Sequence, residues 1–185
     1  MEWVNIKNQH KPLCVLGTMN NEKGLRIAAE LRAWLCLVYD VHEVMHDGSA
    51  FELPALKRAQ ELSIQTQEPV LYIHTRGAVN TYPTTIPTRK MWREEFGAQW
   101  QKYFALARTD TPLVVCPFVD DDGETRYNGF VANTAAWEMI DLKPSADRMI
   151  YERLWRGRGC VVGLLIHSPH NDIKKVRQYL YNNYK

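Results

Sequence analysis

The first half of the chain alternates between two hydrophobic periods. Pro12 to Leu16, closed by Gly17, is a short apolar run that reads as a buried strand. Asn20 or Asn21 is placed to cap the helix that follows. Ile27, Ala28, Leu31, Trp34 and Leu35 then recur on one helical face. Leu37 to Val41 reads as a second strand, with a turn near His46-Asp47-Gly48. A second helix is expected from Pro54, a residue favoured in the first turn, with Ala55, Leu56, Ala59 and Leu62 as its inner stripe. Val70 to Ile73 is a third strand. The order strand, helix, strand, helix, strand predicts a parallel sheet with right-handed crossovers.

The second half departs from that rhythm. Val79 to Thr88 is rich in proline and threonine and reads as a loop long enough to be functional. A helix from Thr88 to Ala107 would carry Trp92, Phe96, Trp100, Tyr103 and Phe104 on one side. Leu113 to Val119 reads as a strand, Asp120 to Gly123 as a turn, and Arg126 to Ala132 as the returning strand of a hairpin. Short helices over Thr134 to Ile140 and Ala146 to Trp155, a strand from Val161 to Ile166 and a helix marked by Ile173, Val176 and Leu180 complete the chain. The expected fold class is α/β, a three-layer α/β/α sandwich with a Rossmann-like first half and a mostly parallel sheet. A single domain over residues 1–185 suits this length.

Composition changes the picture little. A formal charge of +2 gives no argument for nucleic acid as a partner. No apolar run reaches the roughly 20 residues of a transmembrane segment, and the first residues lack the apolar core of a signal peptide. A cytoplasmic location is expected. Cys14, Cys36, Cys116 and Cys160 form no CxxC pair and read as reduced core thiols.

Chemistry concentrates where the third strand ends. In an open parallel sheet, ligands bind beyond the carboxyl ends of the strands. There the chain places His74, Thr75, Arg76 and Gly77. A guanidinium suits phosphate oxygens. An imidazole suits donation to phosphate or proton transfer. The bland alternative is a strand end whose polar groups meet solvent.

The segments LYIHTRGA, MWREEF and YNGFVANTAAW together resemble a group of bacterial glycosyltransferase-like proteins of polysaccharide gene clusters. That group is similar to nucleotide-diphospho-sugar transferases of the GT-A type, and the resemblance covers roughly Leu53 to Trp155. It implies a GT-A-like domain that binds a nucleotide sugar and transfers the sugar to a glycan or lipid-linked acceptor. On that reading the nucleotide rests near Gly17, Thr18 and Met19 and near His46 and Asp47, with the diphosphate at His74, Thr75 and Arg76. Arg93 either reaches the ligand edge or points into solvent. Asn128, Phe130 and Trp137 would meet the acceptor, the two aromatic rings by stacking on a sugar face, unless those rings are core. Glu152 is the candidate catalytic base, with Asp147 in a comparable place. Each has a plainer reading, Glu152 paired with Arg148 or Arg156, and Asp147 as a first-turn acid.

The sequence also departs from the GT-A pattern. Those enzymes carry an Asp-x-Asp motif that holds a divalent metal against the diphosphate. The corresponding strand end here reads His74-Thr75-Arg76 and supplies no carboxylate, so no motif supports a metal or other cofactor. Asp120, Asp121 and Asp122 read as a turn. Gly157 and Gly159 precede a strand, and with Gly163 one residue too far on they miss the dinucleotide fingerprint. Arg153, Arg156 and Arg158 read as a solvated face. A non-catalytic nucleotide-sugar binding or accessory module is the alternative function, and a flavodoxin-like or regulatory domain a weaker third.

Overall fold

Six strands form one sheet in the order β2-β1-β3-β5-β4-β6. The strands are β1 (Leu13–Met19), β2 (Asp40–His46), β3 (Val70–His74), β4 (Val114–Asp120), β5 (Phe130–Ala132) and β6 (Val161–Ser168). The helices are α1 (Glu22–Val38), α2 (Leu53–Thr66), α3 (Thr85–Trp92), α4 (Trp100–Ala107), α5 (Thr134–Glu138) and α6 (Ile173–Asn183). The structure, a computed structural model, describes residues 10–80, 82–120, 125, 129–145, 151, 153–168 and 173–184.

β1 pairs in parallel with β2 and β3, and β4 in parallel with β6. β5 lies antiparallel between β3 and β4, with Val115 opposite Val131, so the expected antiparallel return is present over Phe130–Ala132, while Asp120 ends β4 and the rest of the expected turn, with residues 126–128, lies outside the described residues. Side chains alternate across the sheet and build two cores. Cys14, Leu16, Leu71 and Ile73 pack with α1, α4 and α6 on one face. Val15, Val70 and Tyr72 pack with α2 and α5 on the other. Helices thus cover both faces, as buried parallel strands require.

Asn21 is the N-cap of α1, its Oδ1 accepting from Gly24 N at 2.6 Å. The five residues expected on the inner face of α1 are all buried. Several boundaries differ from expectation, the larger ones in the first half and the long helix. Leu37 and Val38 belong to the last turn of α1, and β2 begins at Asp40. β2 is an edge strand with no fully buried residue, so its sequence lacks the apolar run that marks an interior strand. The long helix starts at Thr85, three residues early, and is not continuous. A π-helical segment, Arg93–Ala98, separates α3 from α4. That widened turn keeps Phe96 and Glu95 buried while Gly97 passes the Trp34 ring of α1, where an added Cβ would lie 3.2 Å from the indole.

Candidate functional site

β1, β2 and β3 end side by side. Gly17 is level with Val44 and His74, and Met19 with His46. The segments leaving these strand ends enclose a cavity of about 320 Å³. Its polar wall is His46 and Asp47 at the end of β2, Glu52 before α2, and His74, Thr75 and Arg76 at the end of β3. Met19, Phe51, Val79 and Tyr82 form the apolar wall. A concave apolar surface with a few convergent polar groups is the usual make-up of a small-molecule site. The place is the one where open α/β sheets bind ligands.

Local hydrogen bonds fix this edge. Thr75 donates its amide to Gly17 O at 2.8 Å, and its hydroxyl accepts from Met19 N at 2.9 Å. Asn20 N donates to His46 O at 2.7 Å, which joins the exits of β1 and β2. Gly77 has a φ of +91°, and a Cβ there would lie 2.4 Å from Thr85 Cγ2. Only glycine lets the chain turn after Arg76 and still bring α3 so close. Arg76 is half-buried, and its carbonyl accepts from Arg89 at 3.2 Å, while Arg89 also pairs with Glu30.

At the centre His74 Nδ1 lies 3.0 Å from Glu52 Oε1, with the two side chains 7% and 8% exposed. Strand alternation puts His74 on the same face as Val70 and Tyr72, the face that α2 covers. Glu52 is the residue at the N-terminal boundary of α2, yet its carboxylate does not cap the helix. The start of α2 brings the positive end of its dipole to this wall. The His74 ring meets the edge of Trp92, centroids 5.9 Å apart. Burial lowers the pKa of His46, and the nearby His74 acts in the same direction, while Glu52 and Asp47 oppose. Hydrogen bonds from Ser49 lower that of Asp47.

The other residues singled out from sequence fall in several places. His74, Thr75 and Arg76 share the cavity wall, as do Met19, His46 and Asp47. Gly17 and Thr18 do not line it. Gly17 is the point of close approach, where an added Cβ would lie 3.1 Å from Ala55 Cβ and 3.4 Å from His74 Cβ. Thr18 donates its hydroxyl to Glu43 Oε1 at 2.7 Å, and Glu43 also binds Arg32. Arg93 opens the π-helical segment and is exposed, away from the cavity. Phe130 and Trp137 are buried. They pack with Trp155 and Tyr72, with Phe130 and Trp137 centroids 5.9 Å apart, so neither presents a ring face to an acceptor. Asn128, Asp147 and Glu152 lie outside the described residues, as do Asp121 and Asp122.

Glu52 escaped the sequence reading. Its signal was weak, because an acid just before Leu53-Pro54 reads as an ordinary helix-start residue. Among the described residues, no group of three or more His, Cys, Asp or Glu side chains is arranged to hold a metal ion. The donor set at the end of β3 likewise does not fit the metal that the Asp-x-Asp motif would bind. A larger hollow of about 480 Å³ lies at the opposite end of the strands, between Pro69, Arg108 and Glu138. Its buried polar residue, Asn133, uses its side chain inside the fold, accepting from Leu113 N and Ala136 N and donating to Thr109 O and Thr111 O. No protein-family model, curated protein or solved structure matches this chain. Among the described residues no helix is long and apolar enough to cross a membrane.

Proposed function

We propose that the chain is a GT-A-like glycosyltransferase domain that binds a nucleotide-diphosphate sugar in the cavity beyond β1, β2 and β3. The sugar would pass to a glycan or lipid-linked acceptor. One observation carries the reading: His74 and Arg76 join His46 around a cavity whose other wall is apolar. Cationic and proton-bearing groups suit a diphosphate. The apolar wall of Met19, Phe51 and Tyr82 suits a flat base. Arg76 offsets phosphate charge where the related enzymes use a metal.

The alternative is a binding or accessory module with the same ligand and no transfer. What favours it is the absence of the Asp-x-Asp carboxylates from the end of β3. A thermal-unfolding screen against nucleotide sugars, with and without manganese, tests both. Ligand-induced stabilisation accompanied by release of the nucleoside diphosphate supports the transferase. Stabilisation without turnover supports the module. No shift with any nucleotide, at concentrations where a binding protein responds, contradicts both.

A further inference from the structure

We propose that Glu52 is a positioning residue of this site: it holds His74 by Nδ1, so that Nε2 is the ring atom that bonds an anionic ligand. The inference rests on the donor-site reading and adds a residue and a protonation state to it. Three observations lead to it. Glu52 Oε1 lies 3.0 Å from His74 Nδ1, and both side chains are buried. The carboxylate does not cap α2, the usual task of a side chain at that position. His74 Nε2 is buried and makes no hydrogen bond to any described residue. A buried polar atom left without a partner is costly, and a polar ligand group removes the cost.

A carboxylate at Nδ1 fixes the proton on that nitrogen, as it does for metal-bound and catalytic histidines. Neutral His74 then has Nε2 as an acceptor, which repels a phosphate oxygen. Protonated His74 presents Nε2–H, which donates to it. Ligand binding and proton uptake at Nε2 are therefore linked.

The neighbouring charges point the same way. The cavity faces Asp47 and His46 from the end of β2, Glu52 from the start of α2, and Arg76 after β3. Behind Arg76, Arg89 of α3 is paired with Glu30 of α1. With both histidines neutral, the charges of Asp47 and Glu52 exceed that of Arg76, which disfavours a diphosphate. A proton on His74 restores the balance, and its Nδ1–H contact with the Glu52 carboxylate at 3.0 Å is kept.

The test uses the full chain, metal-free, with the diphosphates of uridine, guanosine, cytidine and adenosine as probes. Affinity is measured between pH 6 and pH 8, and histidine ¹⁵N resonances are recorded with and without the best-bound probe. The expected wild-type result is affinity that strengthens toward acid, by up to about tenfold per pH unit for one proton taken up. His74 Nδ1 should be protonated throughout, and Nε2 should gain a proton when the site fills. Glu52→Gln keeps an acceptor for Nδ1–H and removes the charge. It should bind at least about tenfold more weakly at pH 7, with a loss that varies across the pH range. His74→Gln should bind with that pH dependence lost.

A wild-type affinity independent of pH, or His74 Nε2 unchanged on binding, overturns the inference while leaving the donor site standing. So does Glu52→Gln weakened equally at every pH, the mark of a structural role. The wild-type measurements decide the matter even if the variant fails to fold. Failure of all four probes to bind at any pH overturns the donor site and the inference with it.

Discussion

At the scale of single residues, the site depends on places where no side chain fits. Gly129 is one such case. A Cβ there would lie 2.4 Å from Trp92 Nε1 and 3.1 Å from Phe96. Both rings are fully buried, so neither yields cheaply. Gly129→Ala is expected to cost about 1–3 kcal/mol, read as a fall of several degrees in Tm. An unchanged Tm would mean that β5 has room to shift. Trp92 also touches the His74 ring, so the same variant should disturb ligand binding. His46 offers a pH test. Its folded-state pKa lies below the ordinary histidine value because burial disfavours the charged ring. The unfolded chain therefore binds more protons between that lowered value and about 6.5. Stability should decline as pH falls through about 6.5 and level off below the folded-state value. His46→Asn should flatten that part of the stability profile in denaturant melts. An equally steep profile in the variant would show that the acid sensitivity arises elsewhere.

At the scale of elements, the connections between strands decide where the site lies. Asn133 is the joint at the far edge. It caps α5 by accepting from Ala136 N at 2.9 Å and ties the approach to β4 by accepting from Leu113 N at 3.0 Å. Its amide donates to Thr109 O at 2.8 Å and Thr111 O at 2.7 Å. Asn133→Ala leaves a helix uncapped and buried backbone groups unpaired. A loss of about 2–4 kcal/mol is expected in denaturant unfolding, with nucleotide response retained because the cavity lies at the other end of the strands. A loss under about 0.5 kcal/mol, the range of a neutral surface change, would contradict this account. The sequence revealed elements in proportion to their burial. β1 and β3 stood out because they are covered on both faces. α1 and α2 stood out because their apolar stripes face the two cores. β2 was misplaced because an edge strand half in solvent carries Asp40, His42 and Glu43 among its apolar residues. The π-helical turn at Arg93–Ala98 was invisible because a widened turn keeps nearly the same spacing of apolar residues.

At the scale of the whole molecule, the fold brings three strand ends and the start of α2 to one cavity. The sequence showed the contribution of β3 because His74, Thr75 and Arg76 adjoin each other. It did not show Glu52, which is more than twenty residues away and meets His74 only once α2 crosses the sheet. Nor did it separate Thr18, turned toward Glu43, from Met19 in the cavity wall, because adjacent strand residues take opposite faces. Phe130 and Trp137 carry aromatic surface that suits a sugar face, but the second core absorbs it. The central claim is that the end of β3 binds an anionic ligand through Arg76 without a metal. Calorimetric titration of nucleoside diphosphates into the wild-type chain and Arg76→Ala, both in chelator, tests it most directly. The account predicts binding to the wild type and at least about tenfold weaker binding to the variant, with the fold intact by circular dichroism. Equal affinity in the two proteins would contradict it.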